Sequence, residues 1–363
     1  LTVVVTNDTR SAVRLEKELA QLSPLNVTFF PDWETLPYDS FSPHQDIISA
    51  RLSALFHLQQ RKQGIFILPI ATLMQRVCPP SYLQHRVLLI NKGDRFVIET
   101  LRLQLEKSGY RAVEQVLEHG EYAVRGALLD LFPMGSAVPF RLDFFDDEID
   151  SIRTFDVDTQ RTLQEIDHIN LLPAHEFPTD NQGIEFFRSQ FRAAFGEIRR
   201  DPEHIYQQIS KGTLAAGIEY WQPLFFEEMA TLFDYFPANT LFITGEQNQT
   251  QGERFYADAE QRFESRRVDP MRPLLSPDKL WLRIDDVNRQ LKNYPAIAFK
   301  TEKVRSSARQ KNLAITPLPP LTIQSQQKEP LHQLRQFVEH FKGNILFVVE
   351  TEGRRETLLS LLA

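Results

Sequence analysis

Three strand-length segments, 127–132, 139–145 and 149–155, follow one another with only short turns between them. Such a run reads as an antiparallel meander, because parallel strands need long crossover connections. The residues before it follow another grammar. Across 1–92, apolar runs of strand length at 1–5, 27–30, 65–69 and 87–90 alternate with amphipathic helices at 8–22 and 46–60. That alternation predicts a mostly parallel sheet with helices on its faces. A further helix is predicted from Asp94 to Gly109, with Val97, Ile98, Leu101 and Leu105 inward. Helical patterns return at 184–195 and 202–211, and strand signals at 241–244 and 281–284. The meander is therefore predicted to be a separate or inserted domain within an α/β chain.

Length agrees with several domains, since 363 residues exceed the roughly 250 at which single cores stop growing. Residues 301–327 are polar, aperiodic and contain Pro317, Pro319 and Pro320, which reads as a linker. A new α/β unit is predicted from about Pro330, with a strand at 345–349 and a helix at 356–363. The chain starts on a bare apolar strand and stops inside a helical pattern, so a fragment of a longer chain is expected. No apolar run approaches the ~20 residues of a membrane span, and residues 1–5 lack the basic start of a signal peptide. Cys78 is the one cysteine and has no partner in the chain, which points to a reducing compartment.

Much familiar chemistry is missing. Nothing matches GxxxxGK[ST], and fourteen glycines leave few places for phosphate loops. The histidines are scattered, and no spacing fits zinc or a Ser/His/Asp arrangement. Residues 143–158 hold seven carboxylates against Arg153 and the adjacent Arg141, without EF-hand spacing, so a solvated face is favoured over a metal site. The net charge of −7 argues against a protein that is mainly a phosphate-backbone binder. Arg262, Arg266, Arg267 and Arg272 form the best local exception, balanced in part by Glu264 and Asp269. Binding to free DNA is expected to be weak.

One constellation remains, in GEYAVRGALLDLFPMGSAVPFRLDFFDDEIDSIRTFD at 120–156. Period-two alternation puts Phe140, Leu142 and Phe144 on one side of a strand and Arg141, Asp143 and Phe145 on the other. The first side is a core face and the second is predicted to face solvent. The preceding strand adds Arg125 before Gly126. A phenylalanine exposed between arginines has the composition of an interface centre. The competing expectation is that Phe145 packs on a neighbour and the arginines neutralise local acids.

RGALLDLFP followed by RLDFFDDEIDSIRTFD resembles domain 2 of the nucleotide-excision-repair protein UvrB. It is more similar still to the matching module of the bacterial transcription-repair coupling factors, the Mfd family. DWETLPYDSFSPHQDIISARLSAL, ATLMQRVCPP, KGTLAAGIEYWQPLFF and TLFDYFPANTLF extend the resemblance collinearly over most of residues 1–300. It implies a degenerate RecA-like domain in two segments, 1A (1–90) and 1B (173–305), around a UvrB-type, UvrA-binding domain 2 (91–172). A linker (306–329) and the start of domain 3 (330–363) would follow. The implied UvrA contact is Arg125, Arg141 and Phe145. The implied parent is a cytoplasmic bacterial protein that displaces RNA polymerase by translocating on double-stranded DNA. ATP and magnesium would serve its motor domains, and neither is expected in this segment. Its C-terminal part would mask domain 2. The sequence departs from UvrB after 241–244, where Gly245, Glu246 and Gln247 follow without the aspartate that holds magnesium. The UvrB hairpin that enters damaged DNA also has no counterpart. A nucleotide-using UvrB-like repair helicase fragment is the alternative, and a purely supporting scaffold is a third.

Overall fold

A computed structural model describes residues 1–60, 63–196, 200–315, 319, 321 and 331–362. The chain divides into two units, Leu1–Thr301 and Glu302–Ala363.

The β-branched run Thr2–Thr6 buries Val3 and Val5 at the centre of a five-stranded sheet. The order is Ala296–Phe299, Leu241–Gly245, Thr2–Thr6, Ile65–Pro69, Val27–Phe29, and every pairing is parallel. Two of these strands come from beyond residue 240, so the sheet is closed by segments on both sides of the meander. Crossover helices cover it. Thr9–Leu22 begins where the Asp8 carboxylate accepts the Ser11 N–H at 2.7 Å, a side-chain N-cap. Gln45–Gln60 buries Ile48, Leu52 and Leu55 at three- and four-residue spacing. The protein is thus α/β, as the alternation predicts.

The meander forms a six-stranded sheet in the order Thr162–Ile166, Glu148–Phe155, Phe140–Phe145, Leu128–Leu131, Glu121–Arg125, Arg111–Ala112. All its pairings are antiparallel except the last.

Four local expectations need correction. The segment predicted at 87–90 does not join the parallel sheet; Leu88–Asn91 pairs antiparallel with His168–Leu171 at the foot of the meander. An apolar run specifies burial, not which sheet supplies the partner. Residues 281–284 are not a strand: Trp281 makes one bridge to Gln75, and helix Ile284–Leu291 starts directly after. Val97 is exposed, because helix Ile98–Lys107 starts one residue later and turns Leu101 and Leu105 inward. Residues 345–349 form no strand, and Leu346 and Val348 are exposed.

The second unit contains helices His332–His340 and Glu352–Leu362. The linker expected at 306–329 lies partly outside the described residues, as do Pro317, Pro320, Pro330 and Ala363. No helix among the described residues is long and apolar enough to cross a membrane.

Candidate protein-interaction site

Two hairpins set the site. Glu121–Arg125 turns into Leu128–Leu131 through Gly126, whose φ of +63° is the left-handed region that glycine enters without strain. Phe140–Phe145 turns into Glu148–Phe155 through Asp146, at φ +59°, a conformation that aspartate tolerates better than most residues. The Phe144 N–H donates to the Ala127 carbonyl at 2.9 Å, so both turns lie at the same end of the sheet.

Register then fixes which side chains meet. Ala123, Asp130, Arg141 and Arg153 form one cross-strand row, and Arg125, Leu128, Asp143 and Ser151 form the next. Facing residues in such rows share a side of the sheet. The opposite side is the core face: Phe140, Leu142 and Phe144 are buried, as alternation predicts. Phe145 is 80% exposed and packs on no helix among the described residues.

The arginines do not both project into solvent. Asp130, 1% exposed at its side chain, receives both. Arg141 donates from Nε to Oδ1 at 2.6 Å and from Nη2 to Oδ2 at 2.9 Å. Arg125 donates from Nη2 to the same Oδ2. The Arg141 side chain is only 16% exposed, and its guanidinium lies over the Phe155 ring, 4.9 Å from the centroid. Arg125 is about half exposed. The expectation of a wholly solvent-facing side is therefore corrected at Arg141. That side carries a second small core of Val116, Ala123, Phe132 and Phe155, and Arg141 closes its margin. Asp130 holds the Arg141 guanidinium above its ordinary pKa, chiefly through the hydrogen bond.

Sequence reading missed Asp130 and Phe155. The signal was present for Asp130: a carboxylate between Leu129 and Leu131, in a strand hairpinned to Arg125, needs a cation opposite once it is buried. Phe155 came from the fourth strand, whose bulge between Ile149 and Ser151 alternation cannot foresee.

Other marked residues are held locally. Arg262 pairs with Asp258 and Arg267 with Glu264. Arg266 donates to the Tyr38 carbonyl, and Arg272 donates to the Ala216 carbonyl while lying over Trp221. The basic group is thus tied to its own fold rather than free as a strip. In the acid-rich stretch, Asp156 caps its own turn through Thr159 and Glu148 pairs with Arg95. Glu246 accepts from the Thr301 hydroxyl, beyond a strand that ends at Gly245.

Comparison with known proteins locates the same region. Residues 88–177 match the UvrB interaction domain, and residues 337–363 match the D3 domain of Mfd. The transcription-repair-coupling factor of Haemophilus influenzae is 80% identical over 363 residues, which is 100% of this chain and 32% of that protein. The transcription-repair-coupling factor of Escherichia coli is 59% identical over 362 residues, covering 99% of this chain and 31% of that protein. The Bacillus subtilis protein of the same name is 26% identical over 257 residues, 67% of this chain and 22% of its own length. The chain spans about a third of the length of its first two relatives. Two distinct domain matches in order, and identity across the whole chain, place it: the chain belongs to the transcription-repair-coupling factor family and carries that family's UvrB interaction domain.

Proposed function

We propose that this segment recruits the damage-recognition protein UvrA to stalled transcription complexes in nucleotide excision repair. The observation that carries the reading is Phe145, an exposed phenyl ring at the rim of the meander, on the same side and toward the same end of the sheet as Arg125, within the region matching the UvrB interaction domain. An aromatic ring supplies area that a partner can bury, and a half-exposed guanidinium supplies fixed donors for an acidic group. Domain 2 (91–172) is the binding module. The two RecA-like segments, 1–90 and 173–305, support it, and 330–363 begin domain 3. The whole protein works in the bacterial cytoplasm, with RNA polymerase and double-stranded DNA as partners of its other parts. Intramolecular masking by its C-terminal region keeps the Phe145 surface covered at rest.

Phe145→Ala is expected to weaken UvrA binding about thirtyfold or more, the loss typical of an interface anchor. Calorimetry of the folded variant against UvrA measures it. Unchanged affinity for both Phe145→Ala and Arg125→Ala places the contact elsewhere.

The segment is not itself an ATPase in this reading; ATP and magnesium belong to the motor of the whole protein, which translocates on DNA. The support is the sequence, which holds no phosphate loop, and the strand Leu241–Gly245, which leads to Glu246 without a preceding aspartate. Titrating ATP into the isolated chain is expected to give no micromolar binding. A micromolar isotherm would favour the nucleotide-using repair helicase instead.

A further inference from the structure

We propose that Arg141 is a positioning residue and not a partner-facing anchor: with Asp130 it forms a buried brace that fixes the Arg125 guanidinium on the side of the sheet that carries Phe145. The inference rests on the UvrA reading above and divides the labour within that site.

The donor inventory separates the two arginines. Arg141 turns Nε and Nη2 onto the Asp130 carboxylate, and Nη1 lies 3.3 Å from the Gln160 carbonyl oxygen and 3.4 Å from the Thr162 hydroxyl. One flat face covers Phe155. A guanidinium has five N–H donors in a rigid fork. A bidentate carboxylate, the two Nη1 contacts and a stacked ring leave Arg141 little to offer a partner. Removing it from Asp130 would strand a carboxylate that is almost wholly buried.

Arg125 is arranged differently. It touches Asp130 through Nη2 alone, and its other donors make no hydrogen bond among the described residues. Two guanidiniums on one carboxylate leave a net positive charge on the cluster, and the half-exposed Arg125 is the member that can present it to a partner. The shared Oδ2 anchors that charge in place. A long arginine side chain held in this way has lost part of its rotamer freedom on folding, so less ordering is left to oppose binding. Asp130 lies one row inside Arg125 on the same side of the sheet, so the tether holds the guanidinium over that side, inward of the end that carries Phe145.

A double-mutant cycle read by UvrA affinity tests this. Arg125→Ala is expected to weaken binding about thirtyfold and Asp130→Asn about tenfold. In the Arg125→Ala background, Asp130→Asn and Arg141→Gln are expected to add less than about twofold, because they act through Arg125. A loss of several-fold or more from Arg141→Gln in that background would make Arg141 a direct contact and overturn the proposal. Melting curves for each variant show whether it is folded.

Arginine-selective dicarbonyl labelling, read by mass spectrometry, supplies a measurement on the unaltered chain. Arg125 is expected to label readily and Arg141 slowly, with UvrA protecting Arg125 alone. Equal labelling of the two in the free chain, with both protected by UvrA, would refute the brace. Should Phe145→Ala and Arg125→Ala leave UvrA binding intact, the UvrA reading fails by itself. Labelling of Arg125 then still judges the brace: it is expected to quicken in Asp130→Asn, and an unchanged rate counts against it.

Discussion

Arg51→Ala is expected to destabilise the first unit by about 3–5 kcal/mol, the cost of breaking a buried ion pair from one side. Arg51 and Glu176 are 0% and 2% exposed and meet at 2.6 Å from Nε to Oε1. The guanidinium also donates from Nη1 to the Pro31 carbonyl at 2.7 Å and lies over the Phe30 ring, 4.5 Å from the centroid. Trp33 Nε1–H reaches Glu176 Oε2 at 3.4 Å, and the Gln222 side chain donates to the Glu176 backbone carbonyl at 3.0 Å. One pair therefore joins the loop after Val27–Phe29, the helix Gln45–Gln60, the segment leaving the meander and the 3-10 helix Ile218–Phe225. Truncating the arginine leaves a carboxylate without water and without its cation. Glu176→Gln should cost a similar amount, since it leaves the buried Arg51 guanidinium, which stays charged, without its carboxylate. Replacing both residues by apolar side chains of similar volume should recover much of the loss, because desolvation offsets most of a buried pair's attraction. Urea unfolding of the three variants measures this. A loss below 1 kcal/mol for Arg51→Ala would mean that water or another cation reaches Glu176.

The same pair shows what a sequence discloses. Its local half was legible: Arg51 lies three residues after Ile48 and four before Leu55, on the inward stripe of an amphipathic pattern, where a charge calls for a partner. Its distant half was not, because Glu176 lies 125 residues away across the whole meander. Period-two alternation likewise separated Phe144 from Phe145 correctly, since strand geometry alone decides that. It assigned Arg141 to solvent because alternation knows two sides of a strand, not whether the second side has a core of its own. The loop carrying Val116, with Ala123, Phe132 and Phe155 from the strands and their ends, supplies that core. The parallel sheet was readable as a class. Its order was not, because strand Leu241–Gly245 next to Thr2–Thr6 is a contact across some 240 residues.

Glu219→Gln is expected to stabilise the protein more at neutral pH than in acid, with the gain growing by about 3 kcal/mol between pH 4.5 and 7. Burial pushes the Glu219 carboxyl from its ordinary 4.5 up to about 7, and its hydrogen bond to the Ser42 hydroxyl at 2.9 Å only partly opposes this. The sign follows from proton binding. The folded state holds this proton more tightly than the unfolded chain, so the group favours folding most below pH 4.5. That contribution is lost as pH rises to about 7. A shift of this size corresponds to about 3 kcal/mol at ~1.4 kcal/mol per pKa unit. His175 works the other way. Burial beside Phe177 lowers it from 6.5 to about 4, so its contribution is complete above pH 6.5 and is lost as pH falls through 4. Over the same window the two slopes oppose each other, and the unaltered chain should show a shallower pH dependence than either residue alone would give. Glu219→Gln removes one slope. Its stability should then rise steadily from pH 4 to 6.5, driven by His175; Glu121, held below its ordinary 4.5 by the backbone N–H groups of Leu117 and Glu118 and by Arg111 against the opposing effect of burial, adds to the slope only at the acid end. Urea midpoints of the two proteins at half-unit steps give the difference directly. A difference that stays constant from pH 4.5 to 7 would show that Glu219 is charged in the fold at acid pH, with water or a cation reaching it beneath Ser42.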